Sequence, residues 1–340
     1  MSTLQIGLVG CGRVGRCLVR LLARDEMLRL AVIEDPADPE AVEYLLRFDT
    51  LLGRFRESLS RSDGALEIAG RSVRLLQPDD AVPDWRALGV SVVVEATGRE
   101  RHRAELEAHL AAGARRVVLC SPSVDPPDAT VVAGVNAASF LPEHQIVSVG
   151  SVTANCAGPV LKVLEGAFGI ERAFLNTVHA YTSQLRLADV PAPDPRAGRA
   201  AAENIIPQPT NADEVISGLL PGLAGRISGL ATHVPVPNGS VVDLTCWHPR
   251  PVTVEEINAA IRAACEGELA GVIAYETEPI VSSDVLHSTW SGVFDSLSTM
   301  VVGGRVSKTL TFYDNAWGYA HRVIDLLRRI AAFEDEETAA

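Results

Sequence analysis

The sequence has no apolar run long enough to cross a bilayer. Its start, MSTLQIGLVG, has neither a basic leader nor a cleavage pattern. Those apolar residues read as a short strand, and the chain is expected to work in the cytoplasm, with no membrane partner. A basic excess is also missing: 30 Lys and Arg stand against 43 Asp and Glu, a formal net charge of −13. Binding to phosphate backbones or anionic lipid needs clustered cations, so nucleic acid is excluded as a general partner. The arginines are scattered on helical stretches such as RVIDLLRRI and read as solvated faces. No two of the six cysteines form a CxxC pair or alternate with histidine at ligand spacing, so no metal is expected. They read mainly as reduced, small core residues. Internal repeats and low-complexity linkers are absent too. What is present is 340 residues, 47% hydrophobic and 21% charged, a length and composition that suit two globular domains and a large core.

The first half carries a dinucleotide-binding pattern. LQIGLVG is a short apolar run ending in glycine, and in GCGRVGRCLVRLLARD the residues Val14, Cys17, Leu18, Leu21 and Leu22 recur at helical spacing. Gly10, Gly12 and Gly15 thus form G-x-G-x-x-G between a strand and a helix, with Arg13 and Val14, also assigned to cofactor binding, in the same motif. Gly10 permits the turn, Gly12 lets the backbone approach a pyrophosphate, and Gly15 lets helix and strand pack closely. LRLAVIEDP is a second strand ending in acids. Asp35 lies 20 residues after Gly15, where a carboxylate meets ribose hydroxyls and repels a 2′-phosphate. NAD is therefore favoured over NADP. Glu34 is the rival residue, though Asp35 fits the spacing better. Three more buried strands follow, in VSVVVEATG, ARRVVLCSPS and HQIVSVGS. Ligands in such sheets sit beyond the carboxyl ends of strands, so Thr97, Gly98, Cys120 and Ser121 are assigned to the cofactor cleft.

After Ser151 the pattern changes. NCAGPVLKVLEGAFG reads as a helix; ERAFLNTVHAYT, RISGLATHVPV, SVVDLTCWHP and VSKTLTFYDN read as strands. Thr253 and Glu256 are spaced as a capping box before another helix. AWGYAHRVIDLLRRIAAF is a closing amphipathic helix, and the tail EDEETAA is expected to fray. ADVPAPDPRAGRAA is a long proline-rich loop, of a length that is often functional. The fold class is α/β, a Rossmann-type domain plus an α+β domain with a mainly antiparallel sheet.

At GLVGCGRVGR, VVEATG, TVHAYT, AAAENIIP, VPVPNGSVVDLT and YDNAWGY the chain resembles the phosphorylating glyceraldehyde-3-phosphate dehydrogenase family over nearly its whole length. The resemblance implies an NAD-binding domain over 1–150 and a catalytic domain over 151–315. It also implies a closing helix over 316–333 that packs back onto the first domain. A homotetramer and a small-molecule substrate are implied as well, with the proline-rich loop reaching a neighbour's cofactor. His179 matches the base that activates the family's thiol, beside the nicotinamide. Asn315 matches the side chain on the nicotinamide amide, and Tyr319 a nearby aromatic.

The departures concern chemistry. The family's nucleophile motif is S-C-T-T-N-C; here Ser151, Val152, Thr153, Ala154, Asn155 and Cys156 stand in that order. Val152 holds the place of the catalytic cysteine and has no nucleophile, so no thioester forms there. Ser151, Thr153 and Thr210 match the inorganic-phosphate site, and Thr182 a substrate-phosphate contact. The family's arginine before V-P-x-P-N is His233, a mostly neutral ring in place of a fixed cation. Asn211 replaces a glycine and crowds the site. A less charged substrate, or one with a single phosphate at most, is implied. Cys156 reads as a structural thiol. Cys120 reads as a packing residue, with a displaced nucleophile as the alternative.

These residues favour an NAD-dependent oxidoreductase without a covalent thiol adduct. His179 would move a proton, and Ser151, Thr153 and Asn155 would orient the substrate oxygen. Carbonyl reduction, alcohol oxidation, oxidation of a hydrated aldehyde and a returned-hydride isomerisation or elimination all remain open. A non-catalytic NAD-binding subunit is the second reading.

Overall fold

The computed structural model describes residues 3–78 and 81–339. The chain divides into two compact units. One holds the residues up to Val131, Ala138–Gly150 and the chain from Ala320; the other holds Val132–Ala137 and Ser151–Tyr319.

The first unit is built on a nine-stranded sheet. Its order is Ala129–Thr130, Ile146–Ser148, Arg116–Leu119, Val92–Glu95, Leu4–Val9, Leu28–Glu34, Arg71–Leu76, Ala65–Ile68 and Leu59–Ser62. The first seven run parallel and the last two are added antiparallel. Val92–Glu95 and Arg116–Leu119 are buried at every position. A strand covered on both faces has no polar side, and such strands read as near-continuous apolar runs. From Leu4–Val9 the chain moves to Leu28–Glu34 on one side and later returns to Val92–Glu95 on the other. The strand order reverses there, the place where open parallel sheets leave a ligand crevice.

The closing helix spans Trp317–Ala339. From Ala320 it belongs to the first unit, where Val323, Leu327 and Ile330 are buried and Phe333 lies against Phe140. The expectation of a frayed tail from Glu334 is corrected: the helix runs on to Ala339, and Glu334 is 7% exposed, facing Arg115 and Arg116 at 3.4 Å. An acidic run looks solvated in sequence when its cation stands 218 positions earlier.

In the second unit a seven-stranded sheet runs Ile206–Gln208, Ile227–Val234, Arg172–Ala180, Ser240–Trp247, Val306–Tyr313, Gly292–Val302 and Ile273–Glu276. Arg172–Ala180 with Ile227–Val234, and Ile273–Glu276 with Gly292–Val302, pair parallel; the other neighbours are antiparallel. Helices Val152–Phe168, Ala212–Leu219 and Val254–Glu266 share one core with Leu175, Val242, Leu244 and Phe294. Alternation puts Phe174 and Leu230 on the opposite face, exposed. Thr253 and Glu256 form the reciprocal cap that their spacing predicts.

Helix Val152–Phe168 begins earlier than the apolar pattern from Asn155 suggests, because Ser151 caps it. The Ser151 hydroxyl oxygen accepts the Ala154 N–H at 3.1 Å. Val152 is thus the first helical residue. No described helix is long and apolar enough to cross a membrane.

Candidate functional site

In the first unit, Val9 pairs with Glu34 on one side and Glu95 on the other, so three strands end level. Beyond them lies a cleft of about 640 Å³, lined among others by Gly10, Gly12, Glu34, Asp35, Thr97 and Arg101. The glycine loop bounds it. Gly10 has φ +93°, and a Cβ there would lie 2.8 Å from Thr97 backbone. A Cβ on Gly15 would lie 2.1 Å from the Gly10 carbonyl oxygen, whereas one on Gly12 meets nothing within 4 Å. Two glycines therefore serve the chain's own packing, and the third leaves its side of the loop open.

Asp35 is tied to this loop. Its Oδ2 accepts the Cys11 N–H at 2.6 Å and its Oδ1 the Ala37 N–H at 2.9 Å. Glu34, its rival in the sequence, is buried; burial and then Glu95 push its carboxyl above the ordinary range. Asp35 thus lines the cleft with its carboxylate fixed at the loop. Glu95 accepts from Thr97 N–H and hydroxyl, and from Arg101 Nε at 3.2 Å. Arg101 was not marked by the sequence: its neighbours in the fold, not its spacing, bring it to the cleft. Arg13 and Val14 begin the helix Arg13–Leu22, and Gly98 turns with φ +72°, without joining the residues that line the cleft.

Cys120 departs from expectation. It does not line the cleft. Its N–H donates to the Glu95 carbonyl at 2.8 Å, its side chain is buried, and burial followed by Glu95 pushes its thiol far up. This burial fits the packing reading and disfavours a displaced nucleophile. Cys156 is buried as well, its sulfur 3.7 Å from the Thr311 carbonyl oxygen, and burial raises its thiol too.

In the second unit, polar side chains gather where Arg172–Ala180 and Ile227–Val234 end. His179 and His233 are register partners in these parallel strands, with ring centroids 4.8 Å apart. His179 Nδ1 lies 2.5 Å from the Ala180 carbonyl oxygen. That oxygen only accepts, so Nδ1 carries the hydrogen and Nε2 has the lone pair. Asn315 Nδ2 faces Nε2 at 3.3 Å. Asn315 is itself oriented: Oδ1 accepts the Gly239 N–H at 3.1 Å and Nδ2 reaches Ser240 Oγ at 2.7 Å. Ser240 Oγ also accepts the Ala180 N–H at 2.9 Å. Ser240 was missed in the sequence, where it is one small residue at the start of a strand.

Thr153 is corrected. It is buried, and its Oγ1 meets the Tyr313 hydroxyl at 3.1 Å, which also meets Thr177 Oγ1 at 2.9 Å. This hydroxyl is engaged inside the core rather than offered to a substrate. Ser151 keeps its O–H as a donor while its oxygen caps the helix. Val152 is half-buried and packs against the core of this unit. Thr182 Oγ1 accepts the Gln184 N–H at 3.4 Å, and Thr210 Oγ1 the Ala212 N–H at 3.2 Å. Asn211 is the residue before helix Ala212–Leu219 and makes no side-chain cap to it. Tyr319 is buried near the start of the closing helix.

Comparison with known proteins agrees with both halves. Residues 4–103 match the glyceraldehyde 3-phosphate dehydrogenase NAD binding domain, and residues 151–315 its C-terminal domain. Glyceraldehyde-3-phosphate dehydrogenase of Geobacillus stearothermophilus is 41% identical over 330 residues, covering 96% of this chain and 98% of its own. That of Streptomyces coelicolor is 40% identical over 328 residues, 95% of this chain and 97% of its own. Glyceraldehyde-3-phosphate dehydrogenase 2 of Bacillus subtilis is 40% identical over 330 residues, 96% and 97%. With an open glycine loop, an acid at the second strand end and these matches along its length, the chain belongs to the glyceraldehyde-3-phosphate dehydrogenase family of NAD-binding oxidoreductases, and NAD is its cofactor.

Proposed function

We propose that this chain is an NAD-dependent oxidoreductase that works without a covalent thiol adduct, on a carbonyl or alcohol other than the glyceraldehyde 3-phosphate for which its relatives are named. Residues 1–150 hold the cofactor and 151–315 the substrate. Val152 carries the reading. It is the first residue of a capped helix, packed on its apolar side, in the order where the family's cysteine stands. A hydrocarbon there attacks nothing. Cys120 and Cys156, the two thiols weighed as substitutes, are buried and held neutral.

When bound, NAD supplies the hydride acceptor or donor. The chain's part is proton transfer and orientation. His179 Nε2 takes the proton of an alcohol, or as an imidazolium returns one to an alkoxide. Asn315 and the Ala180 carbonyl hold the ring in the tautomer that this needs. The Ser151 hydroxyl orients the substrate oxygen. A panel of aldehydes, ketones and alcohols, followed at the reduced-cofactor absorbance, tests the reading. Turnover that falls at least about 100-fold in His179→Ala supports it. Full turnover in that variant ends the acid–base assignment.

A second reading, a cofactor-binding subunit with no turnover, is favoured by the same pairing of an open glycine loop with Val152. NAD binding by calorimetry with no turnover across the panel selects it. A homotetramer fits the exposed Phe174 and Leu230 on the uncovered sheet face, and light scattering reads it directly.

A further inference from the structure

His233 belongs to the same corner as His179 but has been given no task beyond replacing a cation. Its Nδ1 lies 3.3 Å from the Ala180 carbonyl oxygen, the same atom that receives His179 Nδ1. One carbonyl with two lone pairs thus accepts from both rings. A neutral imidazole has a single N–H, so each ring presents its Nε2 as an acceptor. Asn315, the Tyr313 ring and the Ala180 carbonyl, all uncharged, lie against these rings. His233 is buried, and burial pulls its pKa below the ordinary histidine value, against the opposing Ala180 hydrogen bond. Protonating both rings at a centroid separation of 4.8 Å is further disfavoured by like charge.

The His233 nitrogen suits one ligand chemistry and opposes another; His179 Nε2 already faces Asn315 Nδ2 at 3.3 Å. Phosphate oxygens are acceptors and need N–H donors or cations. A lone pair facing them repels. A hydroxyl, by contrast, donates into an imidazole nitrogen. We propose that His233 is a specificity residue that accepts a hydrogen bond from a substrate hydroxyl, so that the substrate is an uncharged hydroxycarbonyl compound or polyol rather than a phosphate ester. This rests on the oxidoreductase reading for turnover, but not for binding. His179 handles the oxygen that changes oxidation state; His233 reads a hydroxyl that does not react.

The test has two independent parts. In protein labelled with nitrogen-15 histidine, long-range correlations assign the tautomer of each ring. Both rings as Nδ1–H, with His233 neutral at neutral pH, are expected. An Nε2–H tautomer or a charged His233 overturns the proposal. The same spectra are then followed with glycerol and, separately, with inorganic phosphate. A His233 shift with glycerol and none with phosphate supports the proposal; a shift with phosphate, or with neither, overturns it. In turnover, glyceraldehyde and glyceraldehyde 3-phosphate form the matched pair. Wild type is expected to favour the unphosphorylated member at least about tenfold in kcat/KM, and His233→Arg to shift the ratio toward the phosphate by about 10- to 100-fold. A wild-type preference for the phosphate overturns the proposal. Absence of turnover with both, alongside a glycerol response, would sink the oxidoreductase reading and leave the hydroxyl site standing.

Discussion

The Thr153 hydroxyl meets the Tyr313 phenol at 3.1 Å inside the core of the second unit, directly after Val152 in the chain. The phenol also meets Thr177, and burial, offset in part by these hydroxyls, pushes it up to about 12. Tyr313 thus joins the first turn of helix Val152–Phe168 to strand Arg172–Ala180. Tyr313→Phe leaves two threonine hydroxyls in the core without this partner. A loss of about 1–3 kcal/mol is expected, read as a lower urea midpoint with an unchanged slope. NAD affinity should be unaffected, since the contact lies wholly within the second unit. An unchanged midpoint would mean that both threonines find other partners.

Gly12 and Gly15 separate cofactor binding from packing. Gly15→Ala drives a methyl to within 2.1 Å of the Gly10 carbonyl oxygen, so the loop or the helix must shift. A fall of several degrees in Tm is expected, with NAD binding lost. Gly12→Ala meets nothing within 4 Å in the protein. It should melt like wild type without NAD yet lose the stabilisation that NAD gives, because its methyl occupies the pyrophosphate's approach. If Gly12→Ala keeps the full NAD-induced shift in Tm, the loop does not face the cofactor as described.

The contrast between these glycines also shows what a sequence can carry. The glycine turn between the first strand and helix was legible because turn, helix and strand end lie within one local unit, so spacing encodes geometry. Buried strands were legible as apolar runs for the same reason. The extent of the closing helix was not, since Glu334 answers to Arg116 218 positions away. Thr153 was misread as a ligand contact because its partner, Tyr313, is 160 residues distant. Cys120 was placed at the cleft by its strand end; which way a strand-end side chain faces depends on neighbours that spacing does not list. Arg101 carries no motif, and Ser240, though within VPVPNGSVVDLT, becomes visible as a site residue only through what it touches.

Thiol reactivity should follow burial. Cys11, Cys17, Cys120, Cys156 and Cys246 are buried, and Cys265 is half-buried. Burial, with Asp35 adding, pushes the Cys11 thiol up to about 12; Cys265 rises only to about 11, from burial and then Glu266. At pH 8 iodoacetamide should label Cys265 first in the native protein, and all six cysteines in urea. Peptide mapping reads the order. Early labelling of Cys120 would restore it as a chemical participant.

Glu34 gives a pH dependence of known sign. Burial and Glu95 hold its carboxyl above the ordinary range, with Arg101 opposing. Between the ordinary value and the raised one, the folded chain binds more protons than the unfolded chain. Stability from this group is therefore greatest below the ordinary value and falls as pH rises through the raised one. Glu34→Gln carries no charge and removes that slope. Its urea midpoint, measured without NAD, should match wild type in acid and exceed it near neutrality. A constant difference at every pH would show that Glu34 ionises as it does in the unfolded chain.

Val152→Cys asks whether only the nucleophile separates this chain from its relatives. The new thiol would sit at the first helical position, where the helix N-terminus favours a thiolate. It should therefore alkylate faster than any native cysteine. Oxidation of glyceraldehyde 3-phosphate should nevertheless return only weakly. With His233 neutral in place of an arginine, the phosphate lacks a charge-assisted contact of about 1.5–3 kcal/mol, which is about 10- to 100-fold in kcat/KM. Asn211 adds bulk where the resemblance has glycine. Adding His233→Arg to Val152→Cys should then raise the rate of phosphate-dependent oxidation by about that factor, whereas His233→Arg alone, with no thiol at position 152, should give no phosphate-dependent oxidation. Full activity from Val152→Cys alone would mean that His233 does not select against phosphate, and that the thiol is all the site has lost.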